Sequence, residues 1–354
     1  MISKQILKYK LRFVTFVLLF GYAYIHVRLN GVYIETTLSA VINFSTRLPF
    51  AQRILAPAIL HFSSSFLPLS PAELFFLMEW TWICLFYFIL RKLLTYEFKP
   101  QPAQLLSWLF ILLLPLITVI NYCFTSGGQA PFFYCYDSAS LFFITAGFLL
   151  CLRRQWYFFM GCLCLATLNR ESSILLVLLI PALHWQQFKT ALMPMFSAVL
   201  VYIFTRLTVL AIVYNTPGSI AEFYFHLSPY TNAEVNLLWL FQDLNILLFI
   251  FCFAGLPLIW FGFYDYIPWK YRPLRYVVLI YFTGLLFVGH FFEARIFLEI
   301  LPLLYLPTCL AVYNWLNNSQ SYNCSNLNFF DYLDRFAVIT VLIAITVVHV
   351  CLNR

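Results

Sequence analysis

Nine stretches of this chain are apolar for about as long as a bilayer-crossing helix needs to be, and they recur from one end to the other: residues 12–28, 72–90, 104–123, 137–152, 190–213, 236–262, 276–291, 296–315 and 335–352. A spanning helix takes about 20 predominantly apolar residues. No soluble domain accommodates so many. Composition agrees. Of 354 residues, 63% are hydrophobic and only 10% charged. A soluble globular chain is about a quarter charged, so this one has too few charges to cover a water-facing surface. The forty Phe and twenty-three Tyr suit lipid-facing surfaces and interfacial belts. The expected fold is an all-α polytopic bundle forming one integral membrane domain over 1–354.

A tenth apolar stretch is harder to place. Residues 156–185 read WYFFMGCLCLATLNRESSILLVLLIPALHW, with Asn169, Arg170 and Glu171 in the middle. A charge in hydrocarbon costs from a few to more than ten kcal/mol. As one helix, 156–187 would be about 42 Å long, more than the hydrocarbon core. As two helices, 156–168 and 172–185, each would reach about 20 Å, which a bundle tolerates when protein surrounds the ends.

Charge bias chooses between the two. With a cytoplasmic N-terminus and a hairpin at 156–187, 14 of the 21 basic residues fall inside. With a single span, Lys189, Lys270, Arg272, Arg275 and Arg335 leave, Arg295 and Arg354 join, and the number falls to 11. The positive-inside tendency favours the hairpin. Eleven membrane helices follow, with an extracytoplasmic C-terminus. The basic N-terminus, MISKQILKYKLR, has no clear cleavage site after the apolar run behind it, so an uncleaved first span is expected in a plasma (inner) membrane. Residues 48–68, with several prolines, read as an interfacial or re-entrant helix within an outer region 28–70. The Asn/Ser-rich 316–334 reads as a polar cytoplasmic loop.

The net charge of +7 is a topology signal, not a nucleic-acid one, because the basic residues lie in short loops beside spans. Most cysteines lie in apolar spans as small hydrophobes. Cys123 and Cys135 flank one loop and would be able to pair if it faces an oxidising space. No P-loop, GxSxG, HExxH, Rossmann or zinc pattern is present, and His26, His61 and His290 lack metal-ligand spacing.

On this topology the outer face gathers opposite charges from several loops. They are Glu35, Arg47 and Arg53, then Asp137, then Asn169, Arg170 and Glu171, then Glu222, His226 and Glu234, and finally His290, Glu293, Arg295 and Glu299. Mutual pairing would lower the cost of burial, and such a cleft suits a polar, anionic head group. Each has a plainer reading too. Arg170 and Glu171 diverge by about 100° on a helix and would cap two helix ends at a turn. Asp137 has the position of an N-cap, with Ser138 and Ser140 as rivals. Arg47 and Arg53 would snorkel, and Arg295 and Glu299 would form an i, i+4 helix pair.

The segments RLPFAQRILAPAIL (47–60), YDSASLFFITAGFLLCLRRQWYFF (136–159), ATLNRESSILLVLLIP (166–181) and GHFFEARIFLEILPLL (289–304) resemble a pattern in bacterial polytopic proteins of mostly uncharacterised function. Those proteins resemble the GT-C superfamily of membrane glycosyltransferases. The resemblance runs through short motifs over roughly residues 10–315. It implies transfer of a sugar from a polyprenyl-phosphate donor to a glycan or lipid acceptor on the extracytoplasmic side, with membrane lipid and lipid-linked sugar as partners. It also implies an acidic residue in the first outer loop, acting as general base or as ligand to a divalent metal. Glu35 is the only acidic residue there; the family's usual Asp is missing. Asp137 and Glu171 are the other candidates for catalysis. Arg170 and Arg295, then Arg47 and Arg53, are the candidates to hold phosphate, with Asn169 and Glu293 beside them. A transporter or flippase of lipid-linked saccharides, with Arg206 and Asp243 deepest in the spans, or a non-catalytic assembly protein, are the alternatives.

Overall fold

The computed structural model describes residues 2–318, except 129–130, 226–227 and 243–244, together with 321 and 332. The expected last span 335–352 and most of the polar loop 316–334 lie outside the described residues, as do His226 and Asp243. Among the described residues the chain is helical, with isolated bridges (Gly31 to Phe132 and Tyr224 to Thr231) and no strands. Five helices among the described residues are long and apolar enough to cross a membrane. The chain thus has the character of a multi-pass membrane protein.

The helices are α1 (Ile2–Leu29), α2 (Leu38–Ile42), α3 (Leu55–Ser64), α4 (Pro71–Leu94), α5 (Pro100–Pro115), α6 (Tyr122–Thr125), α7 (Asp137–Leu152), α8 (Trp156–Asn169) and α9 (Ile174–Leu183). They continue as α10 (Phe188–Ile212), α11 (Asn232–Phe241), α12 (Asn245–Phe251), α13 (Leu256–Gly262), α14 (Leu274–Val288) and α15 (Leu301–Leu316). Local chemistry sets several of these boundaries. Ser70 and Glu73 form a capping box ahead of α4, with Pro71 at its first position, where a missing N–H costs nothing. Pro115 ends the regular turns of α5. The chain then widens into a π-helical stretch, Leu116–Asn121, before α6.

α7 lies at the centre, packed against α4, α8 and α9 and buried on nearly every side. That explains why its sequence is apolar all round instead of amphipathic. Gly147 lets α9 come close: a Cβ there would lie 2.4 Å from Leu176 Cδ2. α10 sits at the periphery and exposes Phe196, Leu200 and Phe204, a surface suited to lipid.

Residues 156–183 fold back on themselves. The rings of Trp156, at the start of α8, and His184, just after α9, have centroids 5.5 Å apart. Since α8 is about 20 Å long, the break at Arg170 must be a reversal. Two faces of the bundle result. One, the cleft end, gathers 30–69, 131–136, 170–173, 213–225 and 289–293. The other, the basic end, gathers 95–99, 153–155, 184–187 and 264–273. Thr125 Oγ1 donating to the Phe292 carbonyl ties loops of the cleft end together, and Lys270 paired with Glu97 at 2.5 Å ties the basic end.

Two expectations change. Residues 236–262 are not one helix but α11, α12 and α13. Gln242 is extended (ψ 139°), and Ala254 and Gly255 have φ of 52° and 69°, which no continuous helix allows. Residues 48–68 hold a 3₁₀ turn, Phe50–Gln52, after Pro49 and then a short helix, α3, with Pro57 in its first turn, where a missing N–H costs no helical bond; the segment holds a helix and no full span, in line with the expectation of a helix there. Cys123 and Cys135 are both free thiols.

Candidate functional site

The site is built around the first residue of α7. Asp137 is 1% exposed and does not cap its helix; the N-cap position belongs to Tyr136, with no side-chain hydrogen bond. Its carboxylate instead bridges two guanidiniums. Oδ1 accepts from Arg170 Nη1 at 3.0 Å and Oδ2 from Arg295 Nη1 at 3.2 Å. Arg170 Nη1 also lies 3.1 Å from Glu299 Oε1, and Arg295 Nη2 donates to Glu293. Glu299 and Arg295 are therefore not partners, against the helix-pair expectation. Residues Ala294–Ile300 form a 3₁₀ helix, whose three residues per turn place positions four apart on different faces.

Arg170 occupies the break between α8 and α9 in extended conformation (φ −159°, ψ 143°). This turns its side chain and that of Glu171 to different partners. Glu171 Oε1 accepts from Arg53 Nη2 at 2.8 Å, and Oε2 lies 3.4 Å from Arg53 Nε. Arg53 and Arg47 do not snorkel. Arg53 lies against the Tyr136 ring, Cζ 4.4 Å from its centroid. Arg47 Nε donates to Glu35 at 2.7 Å and its Nη1 to Glu222 at 2.5 Å. Asn169 is fully buried and donates to the Tyr136 carbonyl at 3.0 Å and to Ser140 Oγ at 2.9 Å, locking the end of α8 onto α7.

All nine sequence-derived candidates therefore belong to one connected cluster at the cleft end. Two residues that sequence reasoning placed on this face without a site role also belong: Glu222, which holds Arg47, and Glu299, behind Arg170. Neither has a distinguishing local motif, and only the loop packing brings them in. Tyr134, whose ring lies 3.9 Å under Arg295 Cζ, had no signal either.

A cavity of about 500 Å³ opens among these groups. Its wall carries Arg47, Arg53, Arg170 and Arg295 against Glu171, Glu222 and Glu293, one positive charge in excess. Asp137 and Glu35 do not reach the wall; they stand behind the arginines. One flank is apolar and runs between α9 and α14 past Leu175, Leu178, Ile280 and Leu285. His290 also lines the cavity, and burial pushes its imidazole below its ordinary pKa despite the Glu293 carboxylate nearby.

The arginines are oriented but not exhausted. Arg170 uses Nη1 for both of its carboxylates, leaving Nε and Nη2; Arg53 leaves Nη1. Such N–H groups, on side chains already oriented by carboxylates, are suited to a phosphate or carboxylate entering the cavity. No group of three or more His, Cys, Asp or Glu among the described residues is arranged to hold a metal ion. In comparisons with family models, curated proteins and solved structures, the chain matches none.

Proposed function

We propose that this protein is a membrane glycosyltransferase of the kind the GT-C-like motifs suggest, taking its sugar from a polyprenyl-phosphate donor at the extracytoplasmic end of an eleven-helix bundle in the inner membrane. The observation that carries the reading is the convergence of four arginines, from three chain segments and each paired with a carboxylate, on a cavity with one apolar flank. A lipid phosphate has the matching form: an anionic head and a hydrocarbon tail.

In this reading the uncommitted N–H groups of Arg170 and Arg53 hold the donor phosphate. An acceptor hydroxyl attacks the anomeric carbon, the carbon–oxygen bond to the lipid phosphate breaks, and the arginines stabilise the departing phosphate. The hydroxyl proton passes to a carboxylate of the wall. Glu222 is the best placed, being more than a third exposed and bonded to Arg47 through Oε1 only. Glu171 is engaged by Arg53 through both oxygens, and Asp137, held by two guanidiniums, is a positioning residue and a poor proton acceptor. Glu35 positions Arg47.

The test uses the purified full chain in bilayer discs with polyprenyl-phosphate glucose or mannose as donor and a cell-envelope glycolipid extract as acceptor, reading release of polyprenyl phosphate. Wild type should release it and Glu222→Gln should lose most of that rate, about 10²–10⁴-fold if the proton transfer is general-base catalysed. Farnesyl phosphate should raise the melting temperature of wild type and not of Arg53→Lys, which keeps the charge but loses the planar fork. Absence of both the release and the shift would sink the reading.

A further inference from the structure

Gly284 lies inside α14, and packing gives no reason for a glycine there. A Cβ at this position would meet no atom within 4 Å. A mid-helix glycine also weakens a helix relative to alanine. Gly289, just past the end of α14, is the contrast: a Cβ there would press to 3.1 Å from Ile296 and Leu285. The open space at Gly284 belongs to the arginine cleft, whose wall includes it.

The neighbours of Gly284 make that space part of a groove. Val277, Ile280, Tyr281, Leu285 and Val288 follow one another at helical spacing, so they share one face of α14 with Gly284. α9 packs beside α14 and adds Leu175, Leu178 and Pro181. The apolar flank of the cleft continues along this seam into a second cavity of about 690 Å³, and Leu178 and Ile280 line both. From Val277 to Val288 the stripe is about 16 Å long, more than half of a hydrocarbon core about 30 Å thick. Its outer side is open, with Ile280 53% and Val288 45% exposed. Gly284 is the one position in the row without a side chain, and it leaves a notch.

We propose that the α9–α14 seam is the groove for the hydrocarbon tail of a lipid phosphate, and that Gly284 is its specificity-determining residue. The tail crosses α14 at the notch, where any side chain would stand in its path. The head is the anion held by the uncommitted N–H groups of Arg170 and Arg53, in a wall with one positive charge in excess. Continuity of the groove with that wall fixes where the tail begins. The gap left by one side chain admits one chain, not the paired tails of a phospholipid. The inference rests on the reading of the cleft as a lipid-phosphate site, and adds where the tail lies and what limits it.

The full chain in detergent, with farnesyl phosphate carrying a diazirine at the end of its tail as probe, tests this without any sugar donor. Photolysis of wild type should label α9 or α14 along the seam. Unlabelled farnesyl phosphate should compete, and dioleoyl phosphatidylglycerol should not. Gly284→Leu should weaken farnesyl phosphate by about tenfold or more, as an altered apolar pocket does, and Gly284→Ala by less. Neither should change the binding of inorganic phosphate. Because a Cβ at 284 meets nothing, both variants should melt no lower than wild type without ligand, so lost binding is not lost fold. Equal affinity of wild type and Gly284→Leu, with Arg53→Lys still weakened, would overturn the groove and leave the reading of the cleft standing. Equal competition by phosphatidylglycerol would do the same. Failure of wild type to bind farnesyl phosphate at all would overturn both.

Discussion

Asp137 Oδ1 accepts a hydrogen bond from Arg170 Nη1 at 3.0 Å across 33 residues of sequence, and this bond ties the start of α7 to the break between α8 and α9. With the second bond, from Arg295, it makes one carboxylate the hub of three chain segments. Removing one partner of a buried charge network leaves the others uncompensated, at about 3–5 kcal/mol. Asp137→Ala should therefore lower the melting temperature in detergent sharply. Asp137→Asn, which keeps the shape and one acceptor oxygen, should be milder. Equal melting of wild type and Asp137→Ala would contradict the hub.

Gly147 and Leu176 make a second claim on the same helices. A Cβ at 147 would meet the Leu176 side chain at 2.4 Å, so Gly147→Ala should be destabilising, by about 1–3 kcal/mol as an overpacked site. Adding Leu176→Ala should recover part of the loss, because the smaller side chain removes the clash. A double-mutant cycle on denaturation midpoints reads this coupling; strictly additive effects would show that α7 and α9 do not pack as described.

His26 and Glu79 form a wholly buried pair, Nδ1 to Oε1 at 2.8 Å, joined by Ser138 Oγ at 2.6 Å. It anchors α1 and α4 beside Asp137. Either His26→Leu or Glu79→Leu alone should destabilise strongly, while the two together should cost less than their sum, since an apolar pair leaves neither ring nor carboxylate orphaned and only the Ser138 hydroxyl loses a partner. Purely additive losses would mean that the pair does not interact.

The His290 imidazole should give the stability curve a recognisable acid limb. Burial lowers its folded pKa below its ordinary value of 6.5. The unfolded chain then binds the proton first, so stability is complete above about pH 6.5 and is lost as pH falls through the folded pKa. Melting temperatures from pH 7.5 to 5 should fall more steeply for wild type than for His290→Gln. Parallel curves would show that the ring titrates as it does in water.

Much of this was readable in the amino-acid order. Apolar length and scarce charge determined an all-helical membrane chain, and α7 begins and ends where the apolar run 137–152 does. The same run lengths, with the polar interruption Asn169–Arg170–Glu171, demanded a break there, because a charge within hydrocarbon is expensive wherever the chain goes next. The sequence also grouped these ionisable residues on one face, since relative topology follows from counting spans and loop charges. It did not determine which charge meets which. Adjacent Arg170 and Glu171 are divided between Asp137 with Glu299 and Arg53, and Arg295 turns from Glu299 to Asp137, because a 3₁₀ turn and an extended residue redirect side chains that a regular helix would have paired locally. Helix breaks at Gln242 and Gly255 were hidden for a similar reason: hydropathy records how apolar a residue is and says nothing of its backbone angles. Pairing among buried charges is decided by distance in three dimensions, and only tertiary packing sets that distance.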